Sequence, residues 1–335
     1  MSAFTFPVLL ADIGGTNARF QVLEAADSTA ITFKTVKTAD FSTIEDALRA
    51  VVLDQGYQPK TALIAAAGPI KVDGLDLTNC HWRIKANAFV NNLKLDHLIL
   101  FNDFDAQALA LPFLTKDDVS SLGGVGLGET KRTMGVVGAG TGLGVGTLAR
   151  AAGKWVPVGG EGGHVDLGPR TERESTIWPH LERIGGRISA EQVLCGDGLV
   201  NLYRAVCGAD RVEPSLQTAS DISTAAMEGR DDQAYEALSI FCACFGRVAG
   251  DLALTVMAKG GVFVAGGIAG HILSFLQQSG MRRSFDDKEP HSELMEAIGL
   301  HVVTHKLPAL LGLASYACQP DAFAIDLEHR SWKSA

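Results

Sequence analysis

Cysteine is sparse and unpatterned in this sequence. The six residues Cys80, Cys195, Cys207, Cys242, Cys244 and Cys318 form no C-x-x-C pair and no paired framework. Cys242 and Cys244 fall in a helical pattern, where residues two apart face different ways. Reduced, buried thiols of a cytosolic protein are the expectation. Long apolar runs are missing as well. The opening MSAFTFPVLL has no basic leader, Asp12 interrupts it, and no later stretch reaches about 18 apolar residues without a charge. A cytoplasmic protein with no membrane partner is expected. Basic residues are outnumbered, 29 against 38 acidic ones for a net charge of −9, which argues against nucleic acid or an anionic membrane as the main partner.

The familiar phosphate-binding signatures are absent too. The only Gly-Lys pair, Gly153-Lys154, is followed by Trp155, so there is no P-loop. Gly138 and Gly140 begin a G-x-G-x-x-G count that fails at Leu143, where a strand rather than a helix follows. Protein-kinase signatures are missing.

What is present is an ordinary globular composition, 47% apolar and 20% charged over 335 residues, enough for two domains. Glycine stands out: 37 residues, about 11% against a usual 7% or so. A buried run at residues 7–12, the glycines of I-G-G-T and an alternating run from Asn17 to Glu24 predict a strand, a turn and a second strand. Ser42-Thr43-Ile44-Glu45 predicts a capping box ahead of an amphipathic helix. Buried strands are expected at Thr61–Ala67 and His97–Phe101, the second running into a helix through Ala110. After Pro112, TKDDVSSLGGVGLGETKR reads as a connection between domains.

The opening pattern then returns, as strand Met134–Gly138, turn Ala139–Gly142 and strand Leu143–Ala149. This suggests paired domains, each beginning with a hairpin aimed at a shared cleft. Further on, Ser189-Ala190-Glu191-Gln192 predicts a capped helix start, and Gln233–Met257 a long helix. Gly261–Ala265 predicts a strand ending in Gly266-Gly267, followed by a helix from about Gly270 to Gln278. His301–Thr304 predicts a last strand, and Leu307–Ala317 a helix returning to the first domain.

Three constellations carry chemistry. In the two glycine hairpins, Asp12-Ile13-Gly14-Gly15-Thr16 and Gly138-Ala139-Gly140-Thr141-Gly142, main-chain N–H groups can approach phosphate oxygens, and each Thr adds a hydroxyl. Asp12, at a strand end, suits Mg²⁺ held through water. Plain hairpin turns are the alternative. Asn102-Asp103 offers a strand-end carboxylate that can take a proton from a hydroxyl nucleophile, worth roughly 10²–10⁴-fold in rate; a helix N-cap is the alternative. Gly159-Gly160-Glu161-Gly162-Gly163-His164 sets a carboxylate and an imidazole among four glycines, a poor packing sequence suited to close approach of a ligand. Glu191 is a further candidate, although an acidic residue in a first helical turn needs no other reason. His81, His97, His271 and His305 show no metal spacing.

In combination and order, these motifs resemble the bacterial ATP-dependent glucokinases of the hexokinase–actin–heat-shock ATPase superfamily. The similarity runs through LLADIGGTNARF, LTNCHW, NDFDA, GAGTGLGVG, GEGGHVD, SAEQVLCGDGLVNLYRA, FVAGGI and LPALLG. The resemblance implies an α/β, two-domain ribonuclease-H-like (actin/hexokinase-like) fold with a cleft between domains. Residues 1–112 with 305–335 would form a small α/β domain, and 113–304 a large one.

It implies phosphorylation of glucose at O6 by ATP with Mg²⁺, in a homodimer. Ala11, Asp12, Ile13, Gly14, Gly15 and Thr16 would form the first phosphate loop, with Asp12 near the metal. Gly138, Gly140, Thr141 and Gly142 would form the second, and Gly266 and Gly267 the turn near the nucleoside. Asn102 and Asp103 would bind the sugar, Asp103 as the base on O6. Glu161, His164 and Glu191 would hold the other hydroxyls, and Asn79 would lie near the sugar.

Domain closure would exclude water from the transfer. Gly196-Asp197-Gly198 departs from the family pattern, with Asp where Pro is common, and so does Leu167-Gly168-Pro169, with Gly for Ala. The cysteine-rich zinc motif of the related repressor-and-kinase branch is missing. Another hexose or hexosamine, or a sugar-sensing regulator without kinase activity, are the competing readings. The regulator would need a helix-turn-helix segment for which the residues before Asp12 leave no room.

Overall fold

Strands that are buried on both faces need helices above and below them, and the six-residue runs Val8–Ile13 and Thr61–Ala66 are almost wholly buried. In the computed structural model, which describes residues 4–78, 80–127 and 131–334, they form the centre of a seven-stranded sheet. The chain divides into two compact units. The first comprises the residues up to Phe113, Leu148–Gly159 and the residues from Lys306 on; the second comprises Leu114–Thr147 and Gly160–His305.

The first unit's sheet runs in the order Ser331–Lys333, His97–Asn102, Thr61–Ala66, Val8–Ile13, Asn17–Leu23, Ile31–Thr32, with Val36–Lys37 also paired to Asn17–Leu23. The first hairpin is antiparallel, with Val8 opposite Leu23 and Ile13 opposite Ala18. Val8–Ile13, Thr61–Ala66 and His97–Asn102 are parallel, so Ile13, Ala66 and Asn102 share one end of the sheet. One face packs Leu9, Ile13, Phe20 and Ile64 against Ile44, Leu48 and Phe89 of helices Ile44–Val51 and Ala86–Leu93. Helix Pro308–Cys318 packs on Val8–Ile13, Thr61–Ala66 and helix Asp103–Ala110.

A second, six-stranded sheet repeats this order: Val119–Gly123, Leu300–Val303, Val262–Ala265, Met134–Ala139, Leu143–Ala151, Lys154–Gly160. Met134–Ala139, Val262–Ala265 and Leu300–Val303 are again parallel, and the edge strand Val119–Gly123 is antiparallel, as Ser331–Lys333 is in the first sheet. The core gathers round Leu238, Phe241, Phe245 and Val248 of helix Asp232–Val256. That helix is long and apolar enough to cross a membrane, but 67% of its most apolar window is buried within the protein, as befits a core helix. All six cysteines are free.

Several expectations are corrected. The stretch read as an interdomain connection contains strand Val119–Gly123, whose half-exposed edge position needs no apolar alternation. The cap of the first helix is Thr43, whose hydroxyl accepts the Asp46 N–H at 3.1 Å, and not Ser42. No helix begins at Ser189. Gln192 Oε1 does accept the Ser189 N–H at 2.9 Å, but the segment stays a series of turns, and the helix starts at Gly196 with Cys195 as its cap. Side-chain capping here closes a turn without propagating it. The helix placed at 270–278 begins at Gly267 and breaks at Ile272. Strand Ser331–Lys333 carried too short a pattern to read. Leu148–Gly159, expected in the large domain, packs in the first unit: Trp155 bridges to Phe323 and its carbonyl accepts the Ala324 N–H at 2.8 Å.

Candidate active site

The first unit presents its candidate residues at the carboxyl ends of its parallel strands, the usual place for ligands in such sheets. The turn after Ile13 is set by short backbone bonds. The Gly14 N–H donates to Asn17 O at 2.9 Å, the Thr38 N–H to Thr16 O at 3.0 Å, and the Thr38 hydroxyl to Gly15 O at 2.8 Å. Strand alternation buries Ala11 and Ile13 and leaves Asp12 on the other face, opposite Arg19. Arg19 Nη1 lies 3.0 Å from Asp12 Oδ2. Burial raises the Asp12 carboxyl above the usual range, and Arg19 offsets part of that rise.

Asn102 ends its strand in extended backbone and caps the next helix, its Oδ1 accepting the Phe104 N–H at 2.8 Å. The cap and the candidate base are thus adjacent residues, Asn102 being the helix cap. Asp103 Oδ1 also receives the Phe104 N–H, at 3.1 Å. Its carboxyl is pushed up to about 6, chiefly by burial, with the Phe104 N–H pulling it down and the negative charge of Asp12 raising it further. Asp105, not singled out in the sequence, is buried on the same helix and pairs with Arg330 at 3.1 Å.

In the second unit Gly140–Gly142 links Met134–Ala139 to Leu143–Ala151, and the Gly140 N–H donates to Gly142 O at 2.9 Å. Gly266, at φ +93°, follows the neighbouring parallel strand; a Cβ there would lie 2.2 Å from Ala139 O, so only glycine lets the two strand ends meet. The 160–164 loop is equally close to the same hairpin: a Cβ on Gly163 would lie 2.0 Å from Leu143 O. Glu161, His164 and Glu191 come together there. His164 Nε2 is 3.9 Å from Glu161 Oε2, and its Nδ1 is 3.9 Å from Glu191 Oε1.

Glu161 is 89% exposed and Glu191 32%, so the set opens to solvent on one side. Glu191 is anchored by its own N–H to Gly163 O at 2.9 Å and by Oε2, which accepts the Leu143 N–H at 2.8 Å. Arg187, also not foreseen, donates to His164 O and to Asp166 Oδ1, both at 2.6 Å. Asn79 lies outside the described residues.

Two of the remaining histidines are held by structural bonds, His81 Nε2 to Phe41 O at 3.0 Å and His97 Nε2 to Ser331 Oγ at 2.7 Å. Among the described residues no group of three or more His, Cys, Asp or Glu side chains forms a metal cage.

Comparison with known proteins agrees with this architecture. The crystal structure of glucokinase from an Antarctic psychrotroph superposes with a TM-score of 0.83 at 31% identity, covering 95% of this chain and 100% of that one. That of glucokinase from Balamuthia mandrillaris in complex with glucose gives 0.75 at 26% identity, with 93% of each chain covered. Two α/β units with sheets of one order, each with a glycine turn at the ends of its parallel strands, define a protein of the actin-like, ribonuclease-H-like class. A curated glucokinase of Rhizobium etli is 46% identical over 329 residues, 98% of this chain and 96% of that one. The glucokinase family model matches residues 9–320, and the chain belongs to the glucokinase family of enzymes.

Proposed function

We propose that the enzyme transfers the terminal phosphoryl group of ATP to O6 of D-glucose, giving glucose 6-phosphate and ADP. The observation that carries this reading is Asp103, a strand-end carboxylate held by burial to about 6 beside the charge of Asp12. Such a group is ionised at neutral pH yet basic enough to accept a hydroxyl proton. As the proton moves from O6 to Asp103, the O6–P bond forms and the bond from phosphorus to the ADP oxygen breaks. Asn102 orients the sugar, and the Ala11–Thr16 turn offers main-chain donors to phosphate. Glu161, His164 and Glu191 take the other hydroxyls, while Gly138–Gly142 and Gly266-Gly267 hold the nucleotide.

A neutral sugar accounts for recognition by carboxylates and an imidazole rather than by an arginine cluster. Asp12, a largely buried strand-end carboxylate whose charge reaches Asp103, fits Mg²⁺ that would arrive on the nucleotide and keep its water; among the described residues no group of three or more ligands forms a cage that would strip that water away. When bound, that ion neutralises phosphate charge. The six free thiols accord with a reducing compartment, and we place the enzyme in the cytoplasm as a homodimer.

A panel of glucose, mannose, fructose and N-acetylglucosamine with ATP, ADP and polyphosphate, coupled to detection of the phosphorylated sugar, tests the proposal. Glucose with ATP should exceed every other pair in kcat/KM by at least about tenfold. A different preferred sugar, or ATP hydrolysis indifferent to sugar, would overturn it.

A further inference from the structure

The two carboxylate oxygens of Glu191 have separate partners. Oε1 faces His164 Nδ1 at 3.9 Å, whereas Oε2 accepts the Leu143 N–H at 2.8 Å. Leu143 is the first residue after the glycine turn. The fit extends into the turn itself: a Cβ on Gly142 would lie 2.5 Å from Glu191 Oε2, so the carboxylate occupies the space a side chain at 142 would need. Backbone bonds tie the same pieces together, the Gly196 N–H to Gly140 O at 3.0 Å and the Glu191 N–H to Gly163 O at 2.9 Å. None of this follows if Glu191 stands in the first turn of a helix. It depends on the irregular segment that precedes Gly196.

We infer that Glu191 is a positioning residue for the glycine turn 138–142, fixing the conformation in which that turn meets the nucleotide phosphates whether or not sugar is bound. The inference rests on the proposed reading of the turn as a phosphate site. A turn of glycines has little stiffness of its own, so an external anchor at its end decides how its N–H groups are aimed. The same side chain then serves sugar through one oxygen and nucleotide geometry through the other.

The test is ADP binding by calorimetry in the absence of sugar, on the full-length protein and three variants. Glu191→Ala should weaken ADP by at least about tenfold. Glu191→Gln, whose amide oxygen can still accept the Leu143 N–H, should stay within about threefold of the unaltered protein. Gly140→Asp controls for the underlying reading: a side chain there meets nothing within 4 Å, so it should fold and repel phosphate, weakening ADP at least about tenfold. Hydrogen exchange at the Leu143 amide should quicken in Glu191→Ala but not in Glu191→Gln.

If Gly140→Asp weakens ADP and Glu191→Ala does not, the positioning role is wrong and the phosphate reading survives. Equal losses in both Glu191 variants would also overturn it. If Gly140→Asp binds ADP normally, the turn is not the phosphate site and the reading beneath the inference fails.

Discussion

Asp12 and Arg19 are cross-strand partners in the first hairpin, and Arg19 Nη1 lies 3.0 Å from Asp12 Oδ2. Burial raises the Asp12 carboxyl above the usual range, and the Arg19 guanidinium offsets part of that rise. Replacing Arg19 with Gln removes that offset, and the Asp12 carboxyl rises further. The Mg²⁺ concentration for half-maximal activity should then increase about tenfold at mildly acid pH and less at pH 8 or so, where protons compete less for the carboxylate. Metal titrations at the two pH values check this, and an unchanged requirement at both would remove Asp12 from the metal site.

Asp103→Asn keeps the shape of the side chain and removes its basicity. Glucose affinity should change by less than about threefold while kcat falls by about 10²–10⁴. In the unaltered enzyme the base must be ionised, so kcat/KM should fall about tenfold per pH unit below the Asp103 value of about 6. A variant with near-normal turnover would end the assignment.

The same residue burdens stability. Asp103 holds its proton up to about 6 in the folded chain, against the usual 3.8, so the folded state binds the proton more tightly than the unfolded state does. Stability is therefore lost as pH rises through that window and the loss is complete above it. Asp103→Asn escapes the loss and should be more stable at neutral pH by on the order of 2 kcal/mol, the gain vanishing below about pH 4. Urea unfolding across this range reads it directly. Equal stability at neutral pH would mean that ionisation of Asp103 is not strained.

Asp105 and Arg330 join helix Asp103–Ala110 to the last strand's approach. The carboxylate is 7% exposed and the guanidinium 27%. Removing the arginine strands a buried charge, whereas replacing both ends does not. Arg330→Gln should cost about 2–3 kcal/mol, and the double variant with Asp105→Asn clearly less than the two single losses summed. A strictly additive double-mutant cycle would show the pair to be inert.

Gly163→Ala places a methyl where only 2.0 Å separates it from Leu143 O, a main-chain atom that cannot swing aside. The loop must shift, carrying His164 and the Glu191 N–H contact with it. The KM for glucose should rise by at least about tenfold, since small displacements of positioning groups are costly. A normal KM would show that the loop is not part of sugar recognition.

Much of the fold was legible because its signals are local. Buried runs at Val8–Ile13 and Thr61–Ala66, paired glycine turns and the apolar face of Asp232–Val256 follow from strand and helix periodicity alone. The candidate residues were legible as well, since Asp12, Asn102 and Gly138–Gly142 sit where strands end. Edge strands were not: Val119–Gly123 and Ser331–Lys333 take their structure from a neighbour's hydrogen bonds, which leave no periodic trace.

Only tertiary structure decided the partners. Nothing near Asp105 announces Arg330, 225 residues away, and nothing near Glu191 announces Leu143. The Ser189 segment illustrates the reason. Its residues carry the signature of a helix start, yet the bond from the Leu143 N–H to Glu191 and that from the Glu191 N–H to Gly163 belong to an irregular path. Local propensity fixes which short segments can form. Which of them is overridden is settled by hydrogen bonds that close only after distant strands have met.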